Sequence, residues 1–151
     1  MKKSVKLLLL LIWMGLIFFF SAQPDVESEE TSNLVAEIIY RIYAFVMNGN
    51  ASLSQSEFMI RFVPPIRKLA HFTEFMILAI LIFINVVEYR KKNVALISFV
   101  LAVLYAMSDE FHQLFVPNRY GSIRDVLIDS AGCLLGIFIC HLFYERWKKV
   151  Q

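Results

Sequence analysis

Between Tyr105 and Asp129 the chain packs Asp109, Glu110, His112, Gln113, Arg119, Arg124, Asp125 and Asp129 between two long apolar runs. A second polar group, Arg67, Lys68, His71 and Glu74, sits at the head of another apolar run. Charged groups beside lipid are costly, so a dense set of them at membrane depth marks a functional site by default. Two chemistries suit these residue types. His71, Glu74, Asp109, His112, Asp125 and Asp129 are hard or borderline ligands for zinc, manganese or magnesium. A metal-bound water would then serve a metal-dependent membrane enzyme acting on a lipid or cell-wall precursor, with His71, Glu74, Asp109, His112 and Asp129 as the catalytic candidates. Alternatively, Arg67, Lys68, Arg119 and Arg124, with Glu110, Gln113 and Asp125 beside them, would hold an anionic lipid headgroup or a lipid-linked wall precursor, with His112 as acid or base. A third reading is structural: buried Arg–Asp and His–Glu pairs neutralise each other and fix helix register. The chain has no HExxH, nucleophile elbow, P-loop or dinucleotide fingerprint. No cofactor is evident beyond the divalent metal that the first reading would admit.

The elements that must position these groups are membrane helices. The chain of 151 residues is 58% hydrophobic and 19% charged, with 14 phenylalanines. That composition is too apolar for an ordinary soluble domain. The length suits one domain over 1–151. A net charge of +2, spread in short basic clusters, reads as topology signal rather than as a nucleic-acid footprint. Cys133 and Cys140 are seven helical residues apart, roughly 10 Å. That is too far for a disulfide within one helix, and both read as packing residues.

Four apolar runs read as spans at about 5–22, 66–87, 94–114 and 123–144, near the ~20 residues a crossing requires. A signal peptide is the rival reading of the first run, but Phe20 is too large for the small-residue cleavage pattern. Between spans one and two, 33–47 reads as an amphipathic surface helix, with Glu37 and Arg41 as an i,i+4 pair and Asn48-Gly49-Asn50 as its end. Ser54 and Glu57 fit a capping box for a short turn ending at Phe62, and Pro64-Pro65 suits the first turn of span two. The third helix should run to about Val116, where Pro117 stops it. Ser122 and Asp125 form a second capping box. The expectation is an all-α membrane protein, a four-transmembrane-helix bundle with a surface helix in its first extracellular connection. Four spans without broken helices or internal repeats speak against a transporter.

Lys2, Lys3 and Lys6 precede span one, Arg90, Lys91 and Lys92 separate spans two and three, and Arg146, Lys148 and Lys149 follow span four. The positive-inside rule makes that side, with both termini, cytoplasmic. The connection from Gln23 to Pro65 has six acids against Arg41 and Arg61 and should face out, with the Tyr105–Asp129 stretch. At ~100° per residue, Arg67, His71 and Glu74 share one helix face. Tyr105, Asp109 and His112 share another, and Asp125, Asp129, Gly132 and Gly136 a third. One outward-facing polar pocket would keep all three out of lipid. Gly132-x3-Gly136 would let a neighbouring helix approach closely.

Arg67-Lys68-x-Ala70-His71-Phe72-x-Glu74-Phe75, then Tyr105-Ala106-x-x-Asp109-Glu110-x-His112-Gln113-x-Phe115-Val116-Pro117-x-Arg119, then Asp125-Val126-x-x-Asp129-x-x-Gly132 resemble the motifs of the VanZ-like family of small bacterial membrane proteins. Ser21-x-Gln23-Pro24 resembles the usual end of that family's first span. Asn118 stands where glycine is common in the turn. The resemblance covers about 7–144. It implies a role at the cell envelope, in a multi-pass protein of the bacterial cell membrane. The family's name-giving member is associated with low-level resistance to the glycopeptide antibiotic teicoplanin. The family supplies no catalytic assignment, so only the motif positions carry over as functional residues.

Overall fold

The computed structural model describes residues 2–47, 52–90 and 92–150, and the side chains of all of these except 25–28 and 147–150. Among the described residues are five helices: α1 (Lys3–Ser21), α2 (Asp25–Val46), α3 (Gln55–Tyr89), α4 (Val94–Gln113) and α5 (Ile123–Val150). The described residues include no strand. Four helices, α1, α3, α4 and α5 as far as Arg146, are long and apolar enough to cross a membrane. Their lipid-facing sides carry exposed apolar residues such as Leu8, Leu11, Leu96, Leu134 and Phe138. The chain is embedded in a lipid bilayer by these surfaces.

Small residues hold the bundle together. Ala79, Ala102, Ala106 and Cys133 have no exposed surface and pack with Phe75, Leu78 and Ile82. In lipid there is little hydrophobic force between helices, so close backbone approach has to supply the attraction. It is closest between α3 and α5. A Cβ on Gly132 would lie 2.2 Å from the Phe72 carbonyl oxygen, and one on Gly136 2.5 Å from that of Met76. The Cys133 thiol donates to the Phe75 carbonyl at 3.6 Å on the same seam. Both cysteines are free thiols. α1 docks on α3 through Trp13 Nε1, which donates to the Glu74 carbonyl at 3.0 Å, and through Lys6, which pairs with Glu88.

Several boundaries differ from those read in the sequence. α2 begins at Asp25 rather than Asn33, directly after Pro24. The sequence places four acids among its first six residues, a distribution that the helix dipole favours at an N-terminus. The Glu37–Arg41 pair forms at 2.8 Å. Asn48-Gly49-Asn50 and Lys91 lie outside the described residues. The Ser54–Glu57 capping box forms, but it opens α3 itself rather than an isolated turn, and the helix continues through Pro64 and Pro65. Two features offset the two lost helical bonds. Phe58 is buried against Tyr40 and Tyr43 of α2, which holds the first turns in place. The freed carbonyls, those of Ile60 and Arg61, belong to exposed residues. At ~1.5 Å per residue, the 35-residue α3 is about 50 Å long. It exceeds the ~30 Å hydrocarbon core, so its start projects with α2 as a helical arm.

α4 ends at Gln113, three residues short of the expected Val116. The next three N–H groups turn to i−3 carbonyls, which tightens the chain ahead of Pro117. Asn118 then adopts φ 60°, a left-handed conformation that asparagine tolerates better than most residues. The glycine-like turn position is real.

Candidate functional site

The turn after α4 folds back over the helix ends, and Gly121 is what lets it close. A Cβ there would stand 2.6 Å from the Glu110 carbonyl. The closure brings Arg119 over α1, where its Nη2 donates to the Phe20 carbonyl at 3.4 Å. It also brings the Ser122 N–H to Glu110 Oε2 at 2.8 Å. The second capping box is therefore rearranged. Glu110 accepts from the Ser122 N–H, and the Asp125 carboxylate pairs with Lys68 on α3. Asp125 is displaced from its expected partner because α3 offers it an ammonium.

These contacts assemble a cavity of about 370 Å³ at one end of the bundle. α3 contributes Arg67, Lys68 and His71, and α4 contributes Glu110 and Gln113. The turn supplies Arg119, and α5 supplies Asp125 and Asp129. The α3 and α5 polar faces meet here, but α4 contributes Glu110 and Gln113 rather than its expected face of Tyr105, Asp109 and His112. A smaller cavity of about 150 Å³ lies on the α1–α2 side, lined by Glu74, Thr31 and Ser32 among others. Arg67, His71 and Arg119 line both cavities, so two guanidinium groups and an imidazole form the wall between them. His71 Nδ1 lies 3.9 Å from Glu74 Oε2.

Three candidates stand elsewhere. Asp109 is buried and lines neither cavity, and its Oδ2 accepts from Gln113 Nε2 at 3.1 Å. His112 lines neither cavity and lies on the Phe18 ring, with centroids 4.4 Å apart. The 100° arithmetic puts it on the Asp109 face, but that face meets α1, as Tyr105 also shows by donating to the Met14 carbonyl at 2.8 Å. Arg124 is exposed and lines neither cavity. The sequence reading passed over Glu29 of α2, Tyr120, and Thr31 with Ser32, all of which line one cavity or the other. Gly121 left a legible trace as the single glycine of the α4–α5 turn. The α2 residues left none, because nothing in their spacing says which face folds back over the site.

Asp129 is the most demanding residue of the site. It has no exposed surface, and neither carboxylate oxygen has a hydrogen-bond partner among the described residues. Among those residues no three His, Cys, Asp or Glu side chains are gathered so as to hold a metal ion. The donor types suit a divalent cation, but their placement does not form a ligand set.

The fold and cavity define a four-span helical membrane protein with a charged chamber at one end of its bundle. The VanZ/LLP1 family profile matches residues 6–144, and the chain belongs to that family. No curated protein and no solved structure matches it.

Proposed function

We propose that the chamber binds the anionic headgroup of a lipid-linked or other surface ligand, and that the protein modulates glycopeptide susceptibility, that of teicoplanin among them, through that ligand. One observation carries this: two guanidinium groups from separate elements, Arg67 and Arg119, line a single cavity at the end of a lipid-embedded bundle, beside the Lys68–Asp125 pair. Guanidinium groups bind phosphate or carboxylate with paired, charge-assisted hydrogen bonds. The chamber lies opposite the helix ends that carry Lys3, Lys6 and Arg90. By the positive-inside rule it faces outward, both termini are cytoplasmic, and wall precursors are met at the chamber's side of the membrane.

The test uses Arg67→Gln and Arg119→Gln in protein purified in detergent. Binding of a short-chain lipid phosphate is read by calorimetry, and teicoplanin susceptibility in cells. Each variant should weaken binding about tenfold or more, since a charge-assisted hydrogen bond is worth ~1.5–3 kcal/mol. Wild-type affinity in both folded variants refutes the reading. A second reading, a metal-dependent membrane enzyme acting on a lipid or wall precursor, rests on the unpartnered Asp129 carboxylate. It predicts about one divalent metal per chain in chelator-free preparations, lost in Asp129→Asn. A metal-free wild type removes it.

A further inference from the structure

A second concavity lies toward the other end of the molecule and is chemically the reverse of the first. α1 and α4 touch in their chamber-side halves, at Met14–Tyr105 and Phe18–His112. Toward its start, α1 turns to α3 instead, through the Lys6–Glu88 pair and the bond from Asn85 Nδ2 to the Lys6 carbonyl at 3.1 Å. The divergence opens a groove of about 610 Å³ between α1, α3 and α4. Ile97, Leu101, Leu104 and Ser108 recur at i, i+4, i+7 and i+11, so they form one stripe along α4. Leu10 and Met14 face them from α1.

Three of the polar groups on these walls direct their donors to backbone, and Tyr89 stands exposed at the rim. Asn85 also donates to the Leu81 carbonyl at 2.8 Å, Tyr105 to Met14, and Ser108 Oγ to the Tyr105 carbonyl at 2.7 Å. The interior is thus apolar in effect. Among the described residues its one charged lining residue is Arg90, exposed at the C-cap of α3. It stands at the basic end of the bundle, where Lys3 and Lys6 pair with Glu88 and the Lys3 ammonium lies 5.5 Å from the Tyr89 ring.

Length selects the occupant. From Ile97 to Ser108 the stripe runs ~16 Å at 1.5 Å per residue, about half of the ~30 Å hydrocarbon core. That is the depth of one leaflet. A transmembrane partner helix would run past it, whereas an acyl chain anchored at the Arg90 end would fill it. A cluster of basic residues attracts a lipid of net negative charge and repels the ammonium of a zwitterionic one. We propose that this groove is a binding site for one acyl chain of an anionic phospholipid, with the lipid's phosphate against Arg90. The groove and the chamber share no lining residue, so the proposal stands or falls apart from the headgroup reading.

The test is native mass spectrometry of the full chain in detergent, equilibrated with equal amounts of phosphatidylglycerol and phosphatidylethanolamine of matched acyl chains. Wild type should retain phosphatidylglycerol in preference to phosphatidylethanolamine. Arg90→Gln should reduce that preference about fivefold, the contribution of one basic residue at an anionic surface. Leu101→Trp, which fills the groove from a half-exposed position, should release both lipids, and Leu104→Trp should repeat the effect. Circular dichroism confirms that each variant is helical. Equal retention of the two lipids by wild type, or an Arg90→Gln variant with undiminished preference, overturns the anionic assignment. Wild-type retention in both tryptophan variants overturns the site.

Discussion

Replacing Gly132 by alanine tests the seam on which the site depends. The new methyl carbon would stand 2.2 Å from the Phe72 carbonyl oxygen, and ordinary van der Waals contact begins at 3.4 Å. α5 must therefore retreat by about 1 Å or more. The neighbour is backbone, so no change of rotamer relieves the clash. Overpacking of this kind costs ~1–3 kcal/mol. Alanine returns up to ~1 kcal/mol of helix propensity, which leaves a net loss of up to ~2 kcal/mol when that return is complete. For a chain of this size each kcal/mol moves the unfolding midpoint by ~2–4 °C. Thermal unfolding in a single detergent, followed by circular dichroism, should show Gly132→Ala several degrees below wild type. Gly15 is the internal control, because a Cβ there meets nothing within 4 Å. Gly15→Ala should match or exceed wild type. If Gly132→Ala melts at or above wild type, or if Gly15→Ala falls as far, the reasoning from close approach is wrong.

The α4–α5 turn and the helical arm give three further tests. Asn118→Val puts a β-branched residue at φ 60°, which should cost ~1–3 kcal/mol in the same melting assay, while Asn118→Gly should be tolerated. Glu110→Ala strands the Ser122 N–H, so hydrogen exchange at that amide should accelerate by about one order of magnitude or more, in line with the ~1.5–3 kcal/mol of a charge-assisted bond. Ser54→Ala removes the cap of α3 at a cost of ~1 kcal/mol. Its effect should appear as faster exchange confined to the arm around Phe58, with the membrane core unchanged.

What was legible in the sequence followed from strong local physics. Uninterrupted apolar runs gave the spans, and charge distribution gave the chain's two contrasting ends. The spacing of Gly132 and Gly136 gave the close helix contact, and Asn118 gave a turn. Local rules gave way wherever a distant element competed. Pro64-Pro65 read as a helix start because the burial of Phe58 against Tyr40 and Tyr43 cannot be seen from α3 alone. Asp125 read as a capping acid because Lys68 is 57 residues away in the chain. His112 shares a face with Asp109, yet periodicity does not say that this face looks at Phe18 rather than at α5. Part of the cavity lining was legible as candidate residues, whereas Asp109, His112 and Arg124 stand outside it and the α2 residues were missed. The division of the site into two cavities with a shared wall was not legible.

Asp129 decides between a structural and a functional account of the charged cluster. Were the cluster only a means of fixing helix register, each buried acid would have a partner, as Glu110 has the Ser122 N–H. Asp129 sits on the same face of α5 as Gly132 and Gly136, so the tightest seam of the bundle fixes its height. It is fully buried at the chamber wall with both oxygens unpartnered among the described residues. A buried polar atom without a partner costs ~1–3 kcal/mol, and more when charged. Asp129→Asn keeps the shape and replaces the acid, so it should abolish ligand response in the chamber while the protein stays folded, with a melting midpoint no lower than that of wild type. A midpoint that falls would mean that the carboxyl group has a partner within the fold, and the ligand would then have to be sought along Arg67 and Arg119 alone.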